Sequence, residues 1–347
     1  MKTLAKKTLK PLPAIKRSSV DDSQQQFVKA ELFYPDKSLP LVIRPAVAGV
    51  DLVAWARKNL ETIDEHLLKH GAILFRDFGI KAADEFGQFS QAVCSQLLEY
   101  NERSSPRTQV TGSVYTSTDY PSERTIFLHN ENSYQHSWPL KILFFCLTPA
   151  RTGGETPIAD CRNVFRRIDP EIRERFIEKK WMYVRNFGEG FGLPWQKVFQ
   201  TTDRQSVEDY CRKNQIEVEW KDGDRLRTSA VRPAVATHPR SGEMTWFNHA
   251  TFFNILTREP LLRETLLKSF GPRDLPTNTF YGDGSEIEQP VLAALQEAYG
   301  AETVAFPWRA GDILLLDNML AAHGRNPFTG PRTILVSMGE ATGASNA

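Results

Sequence analysis

The chain has 347 residues, 41% of them hydrophobic, and its 43 Lys and Arg nearly balance its 42 Asp and Glu. A balance near neutral gives no long-range field for nucleic acid, and no apolar run approaches the roughly 20 residues of a membrane-spanning helix. The four cysteines lack CxxC spacing, which favours buried free thiols over a disulfide framework. We therefore expect a cytoplasmic protein that binds neither nucleic acid nor membrane.

The first 22 residues differ in composition from the rest of the chain. They are basic and polar, and they lack the apolar segment of a secretory signal. We predict a flexible basic arm over residues 1–22 and a single domain over residues 23–347.

The domain begins with a helix–strand–helix pattern. Apolar residues recur at helical spacing over 51–70, and Gly71 follows at the position that a C-terminal glycine commonly takes. The short apolar run 72–78 predicts a strand, and residues 83–96 predict another helix.

Strand patterns dominate from about residue 125. Apolar or alternating runs predict strands at 125–129, 141–148, 156–160 and 181–187. The composition of 141–148 indicates burial on both faces. Asp169 and Pro170 suit the N-cap and first position of a helix between the last two strands.

The remainder combines a mixed insert with two final strands. Within residues 190–300 the patterns predict strands near 229–237 and 243–247, helices near 206–213, 260–270 and 288–299, and a loop over 271–290. The apolar runs 312–317 and 332–338 predict two buried strands, which the turn at 326–331 could join as a hairpin. Many strands with a few covering helices favour a mainly β fold with α decoration, a double-stranded β-helix (jelly roll, cupin-like).

His129 and Glu131 carry the most informative pattern in the chain. On a strand, residues two apart point to the same side, so both could bind one metal ion. His323 in a distant strand could supply the third ligand. Two histidines and one carboxylate leave coordination positions open, an arrangement typical of non-haem Fe(II) oxygenases.

Two further residues indicate a dicarboxylic cosubstrate. Arg332 follows His323 across the predicted hairpin, where a buried guanidinium could bind a carboxylate through two hydrogen bonds. The hydroxyl of Thr156 could donate to the same carboxylate. One end of the cosubstrate would then lie on the metal and the other on Arg332 and Thr156.

These segments resemble the TauD/TfdA-like family of Fe(II)/2-oxoglutarate-dependent dioxygenases. Within that family the chain is most similar to the clavaminate synthase-like and SyrP-like hydroxylases that carry His-x-Glu. The resemblance covers about residues 45–340. It rests on four segments together: 128–133, 153–156, 246–250 and 317–332.

The resemblance implies roles for the residues above and the cofactors Fe(II), 2-oxoglutarate and O2. His129, Glu131 and His323 would be the iron ligands, and Arg332 with Thr156 would bind 2-oxoglutarate. Many members have Asp where Glu131 stands, and halogenating relatives have Ala or Gly, so Glu131 argues against halogenation. The uncharged stretch 333–337 lacks the arginine that holds a sulfonate in the taurine enzyme, which argues against taurine.

The implied activity is hydroxylation of an unactivated C–H bond in an amino-acid-like small molecule, either free or tethered to a peptidyl carrier protein, in natural-product biosynthesis. Desaturation and cyclisation stay open as outcomes. Candidate substrate contacts are Asn132, Ser133, Arg185 and Asn248, and His249 could be either a pocket or a core residue. Two alternatives also remain: a cupin-like metal-dependent hydrolase or isomerase, and a non-catalytic barrel that only binds ligand.

Overall fold

The computed structural model describes residues 27–99, 108–118, 120–188 and 192–343. The predicted basic arm at 1–22 lies outside the described residues, and the single domain over 23–347 stays a prediction. None of the described helices is long and apolar enough to cross a membrane.

The described chain forms nineteen strands and ten α-helices, with one 3-10 helix at Ile255–Thr257. The strands are β1 (Val28–Leu32), β2 (Leu41–Pro45), β3 (Ala72–Phe75), β4 (Gln109–Thr111), β5 (Val114–Thr116), β6 (Ile126–His129), β7 (Ser137–Thr148), β8 (Thr152–Gly153), β9 (Ile158–Asp160), β10 (Trp181–Phe187), β11 (Glu217–Trp220), β12 (Leu226–Arg232), β13 (Val235–Thr237), β14 (Met244–Trp246), β15 (Thr277–Tyr281), β16 (Ile313–Asp317), β17 (Ala321–Arg325), β18 (Phe328–Thr329) and β19 (Thr333–Gly343). The α-helices are α1 (Leu52–Lys58), α2 (Leu60–His70), α3 (Ala83–Val93), α4 (Cys161–Arg167), α5 (Pro170–Lys179), α6 (Trp195–Val198), α7 (Arg204–Lys213), α8 (Ala250–Phe253), α9 (Pro260–Ser269) and α10 (Gln289–Glu302).

An eight-stranded sheet in the order β1-β2-β3-β16-β7-β19-β5-β4 forms the larger layer. Its central strand β7 is buried on both faces, as its composition predicts. Leu143 and Phe145 pack with α1, α2 and α3 on one face, whereas Ile142 and Phe144 belong to the apolar core on the other. Because side chains alternate along a strand, such continuous apolar runs suit a sheet covered on both sides.

A smaller sheet, β6-β17-β9, provides the second layer. Ile158 of β9 and Ala321 of β17 share an apolar core with Phe144 of β7, so this sheet packs against the inner face of the larger one. Two packed, mostly antiparallel sheets with covering helices confirm the predicted mainly β, jelly-roll fold.

Three strands of the insert pair with β10 to form a third sheet, β11-β12-β10-β15, and one prediction there is wrong. The segment 271–290, predicted as a loop, contains strand β15, which pairs antiparallel with β10. Its glycine and proline residues suggested a loop. In the fold, however, the Thr279 hydroxyl is buried and donates to the carbonyl of Ala250 at 2.7 Å.

Two other local predictions need correction. β16 and β19 do not form a hairpin, because each pairs with a different edge of β7. The intervening chain crosses to the small sheet as β17 and then pairs as β18 with β8. The helix predicted over 51–70 is divided at Asn59, whose side chain donates to the Trp55 carbonyl at 2.7 Å.

Candidate metal centre

The two histidines of the predicted triad face each other on neighbouring strands. His129 ends β6, and His323 of β17 stands opposite it in the antiparallel register, with 4.5 Å between the ring centres. Gly324 permits this close pairing, because a Cβ atom there would lie 2.6 Å from the carbonyl oxygen of Ile126. The His-Gly sequence thus brings β17 close to β6 at the site.

Glu131 reaches the same point from a turn and not from the strand that its spacing suggested. β6 ends at His129, and Glu131 begins the turn that follows. Its Oε2 lies 3.9 Å from Nε2 of His323. One ligand atom from each of His129, Glu131 and His323 lies within 4.8 Å of the other two.

The donor set fits a divalent transition metal. Nδ1 of His129 lies 2.9 Å from the Phe127 carbonyl oxygen. An N–H at Nδ1 would donate to that oxygen and leave the lone pair of Nε2 available for a metal, as is usual for metal-binding histidines. Two imidazoles and one carboxylate are also the ligands that Fe(II) takes in oxygenases with open coordination positions.

Asn318 holds the turn that carries Glu131. Its Oδ1 accepts from the Glu131 backbone N–H at 2.7 Å, and its Nδ2 donates to the Glu131 carbonyl at 2.9 Å. Asn318 is fully buried at the turn between β16 and β17. It therefore fixes the Glu131 turn relative to the strand that bears His323. The sequence marked Asn318 as part of a matching segment, but it did not indicate this role.

A cavity next to the three candidate metal ligands brings Thr156 and Arg332 together. His129, His323, Thr156 and Arg332 all line it. Nε of Arg332 donates to the Gly154 carbonyl at 2.9 Å, and Thr156 accepts from the Trp308 indole N–H at 3.2 Å. Both side chains therefore keep hydrogen-bonding capacity for a ligand: the Nη donors of the arginine and the hydroxyl proton of the threonine.

The charge of Arg332 is poorly compensated. No ion pair joins it to a carboxylate of the described residues. Burial, followed by repulsion from Arg325, lowers the pKa of Arg332 to about 10, so it stays protonated at neutral pH. A partly buried, charged guanidinium in a cavity is well suited to bind a carboxylate.

A second cavity, of about 370 Å³, shares His129 and Glu131 with the candidate metal site. It extends toward α8 and the start of α9. His249 lines it, with Nδ1 2.6 Å from the Ser133 hydroxyl and its ring stacked on Phe253. Burial, with a smaller effect of His129, holds the pKa of His249 well below its ordinary value, so the ring is neutral.

The four substrate contacts suggested by the sequence do not line this cavity: Asn132, Ser133, Arg185 and Asn248. Asn132 has a left-handed backbone with a φ of 58°, and its Oδ1 accepts from the Tyr134 hydroxyl at 3.4 Å. The Ser133 hydroxyl lies 2.6 Å from Nδ1 of His249, which does line the cavity. Asn248 uses its amide to bind the Ala234 carbonyl and the Ala250 N–H. Arg185 lies over the ring of Phe187 at 4.7 Å.

Arg258 lines the cavity and was missed. No sequence periodicity indicates it, because its position depends on how α8, the 3-10 helix and α9 follow one another. The only local signal is its place after the aromatic pair Phe252-Phe253, which itself lines the cavity.

Residues 36–338 match the sequence model of the taurine catabolism dioxygenase TauD, TfdA family. The chain belongs to this family. It is 43% identical over 307 residues to the dapdiamide synthesis protein DdaC of Enterobacter agglomerans, covering 85% of this chain and 93% of that one. It is 30% identical over 323 residues to a clavaminate synthase-like protein of Arabidopsis thaliana, covering 88% and 94%.

Solved structures share the fold at low sequence identity. PvcB of Pseudomonas aeruginosa, described as an Fe, alpha-ketoglutarate dependent oxygenase from an isonitrile synthetic pathway, superposes with a TM-score of 0.55 at 15% identity, covering 90% of this chain and 91% of that one. AAD-2, solved with Mn(II) and N-oxalylglycine, gives a TM-score of 0.51 at 14% identity, covering 91% and 98%.

Family membership confirms the predicted enzyme class and cofactors. The chain is a 2-oxoglutarate-dependent dioxygenase that uses Fe(II), 2-oxoglutarate and O2. Neither the hydrolase or isomerase alternative nor the non-catalytic barrel agrees with this family.

Proposed function

We propose that the chain oxidises an unactivated C–H bond of an amino-acid-like small molecule, by hydroxylation, in a biosynthetic pathway. The substrate is either free or tethered to a peptidyl carrier protein. The names of DdaC and PvcB refer to biosynthesis, which supports this context. The observation that carries the proposal is that His129 and Glu131 line a second cavity beside the Arg332 pocket.

His129, Glu131 and His323 bind Fe(II) in this proposal. Bound Fe(II) supplies the redox chemistry that couples decarboxylation of 2-oxoglutarate to oxidation of the substrate. Arg332 and Thr156 bind the distal carboxylate of 2-oxoglutarate and so orient its other end toward the metal. The second cavity then holds the substrate, and its aromatic walls exclude water from the reacting bond.

An anaerobic titration with Fe(II) and 2-oxoglutarate tests the metal and cosubstrate roles. We expect the weak visible charge-transfer band of a chelated 2-oxo acid in the wild type and no band in His323→Ala. Arg332→Gln should need at least about 30-fold more 2-oxoglutarate, because it removes one partner of a buried charged pair. Arg309→Gln, an exposed arginine, serves as the matched control and should titrate like the wild type.

The opposite result has a clear meaning. An Arg332→Gln titration equal to that of the wild type would remove Arg332 from cosubstrate binding.

For the substrate, succinate release and gain of one oxygen atom should be followed by mass spectrometry. Free amino acids and carrier-bound aminoacyl groups should be compared. A product that has gained no oxygen atom would show that the reaction is desaturation or cyclisation and not hydroxylation.

A further inference from the structure

Arg258 brings a positive charge into the substrate cavity. It lies between the 3-10 helix and α9, and its guanidinium carbon is 5.9 Å from the ring centre of Phe252. The Phe252 ring is in turn 4.7 Å from the ring of His129. The guanidinium therefore lies no more than about 11 Å from the ring of a proposed metal ligand, on the wall of the same cavity.

No carboxylate of the described residues lies within ion-pair distance of this charge, and Glu131 and Glu259 line the same cavity without pairing with it. No ion pair or side-chain hydrogen bond joins Arg258 to any described residue. Burial of the guanidinium lowers the pKa of Arg258, with smaller opposing effects from Tyr120 and Tyr183. Arginine starts from so high a pKa that it stays charged, and a partly buried charge without an ion-pair partner is costly. An anion in the cavity would relieve this cost.

The segment that carries Arg258 is fixed by buried and part-buried hydrogen bonds. Nδ2 of Asn254 donates to the Thr279 hydroxyl at 2.9 Å, and its Oδ1 accepts from the Leu256 N–H at 2.9 Å. The Thr257 hydroxyl donates to the Thr251 carbonyl at 2.6 Å. The backbone of Arg258 is thus held in place before a ligand arrives, which reduces the entropic cost of binding.

We propose that Arg258 is the subsite for a carboxylate of the substrate. The substrate is then a small carboxylate of about amino-acid size, bound by its anion at Arg258 and with its reacting C–H bond beside His129 and Glu131. This inference rests on the proposed function, because it takes the cavity as the substrate site. The carboxylate can be the α-carboxylate of a free amino acid or the side-chain carboxylate of a tethered one, and both present the same group to the guanidinium.

Calorimetric binding to protein loaded with Mn(II) and N-oxalylglycine tests the subsite without turnover. The probes are the twenty L-amino acids and their α-carboxamides. We expect at least one free acid to bind, and Arg258→Gln to weaken that binding by about 30-fold or more. Arg204→Gln is the matched control and should leave the affinity unchanged, because Arg204 is an exposed arginine on α7 that lies over an aromatic ring, that of Trp220, outside the cavity.

The carboxamides separate the two sources of the carboxylate. If only free acids bind, the α-carboxylate occupies the subsite. If the carboxamides of Asp or Glu bind and those of neutral residues do not, a side-chain carboxylate occupies it. Equal binding of acids and all carboxamides, no binding by any acid, or an unchanged affinity in Arg258→Gln overturns the subsite.

Failure of this inference is distinguishable from failure of the proposed function. The charge-transfer band of Fe(II) and 2-oxoglutarate should be retained in Arg258→Gln, which also shows that the variant folds. A band in both proteins with an unchanged amino-acid affinity overturns only the role of Arg258. Absence of the band in the wild type overturns the proposed metal and cosubstrate site itself.

Arg258→Lys keeps the positive charge but loses the planar guanidinium. We expect its amino-acid affinity to lie between those of the wild type and Arg258→Gln.

Discussion

Asn318 links the turn of Glu131 to the strand of His323 through its side-chain amide. Besides its two hydrogen bonds to the Glu131 backbone, it donates to the Pro139 carbonyl at 2.8 Å. Its own carbonyl accepts from Asn130 at 2.7 Å. Asn318 does not touch a ligand atom, so it acts by positioning the ligand turn.

Replacing Asn318 by Ala should weaken metal binding by about 10- to 100-fold, the usual effect of removing a group that orients a metal ligand. Co(II) titration of the apoprotein measures this. Asn186→Ala is the matched control, because its amide donates to two backbone carbonyls, those of Arg273 and Leu275, outside the metal site. Both variants should lose about 1–3 kcal/mol of stability. If both also lost metal affinity equally, Asn318 would have only a structural role.

The residues of the proposed metal and cosubstrate site were easier to predict from the sequence than the walls of the second cavity. His129, Glu131 and His323 could be identified because residue type and spacing limit which side chains can bind a metal. Asn248 was misleading because its amide is used by the backbone of its own segment. Arg258 could not be found, because its position in the cavity depends on the tertiary path of the insert.

The pairing of β6 with β17 depends on the absence of a side chain at Gly324. A Cβ atom there would meet the Ile126 carbonyl at 2.6 Å and the Leu128 nitrogen at 3.3 Å, both backbone atoms that cannot rotate away. The two strands would have to separate, and His129 and His323 lie on them.

Gly324→Ala should therefore lower the free energy of unfolding by about 2 kcal/mol, as expected for overpacking, and weaken Co(II) binding as well. Urea denaturation and metal titration measure the two effects. Gly300→Ala in α10 is the control, because a Cβ atom there meets nothing within 4 Å. We expect it to stabilise the protein by about 0.5–1 kcal/mol. A Gly324→Ala variant as stable as this control would contradict the close-approach argument.

Local patterns predicted most strands and helices, but they did not predict which strands pair. The helix after Asp169 begins at Pro170 as expected, and the Asp169 side chain accepts from the Glu171 N–H. The pairing of β16 and β19 with opposite edges of β7 was missed. When a strand is apolar on both faces, its sequence does not indicate which strands pair with it.

Lys141 joins the covering helices to the larger sheet at the start of the apolar part of β7. Its Nζ donates to Asp64 of α2 at 2.8 Å, to the Val93 carbonyl of α3 at 2.8 Å and to Glu340 of β19 at 3.0 Å. Lys141 is 2% exposed, whereas the side chains of both carboxylates are 21% exposed. The fold therefore contains a buried cation with three acceptors from three different elements.

Lys141→Met should lower the free energy of unfolding by about 3 kcal/mol, because it leaves two carboxylates close together without their shared cation. Burial lowers the pKa of Lys141, but the hydrogen bonds and charges of Asp64 and Glu340 outweigh it and raise the pKa overall. A raised lysine pKa contributes stability that is complete below the ordinary lysine pKa and is lost as pH rises through the folded value. The difference in free energy of unfolding between wild type and variant, measured by urea denaturation, should therefore stay constant from neutral pH to about pH 9.

Lys268→Met is the control. It removes an exposed ion pair within a helix and should lower the free energy of unfolding by no more than about 0.5 kcal/mol. Equal losses in the two variants would show that Lys141 does not hold the layers together.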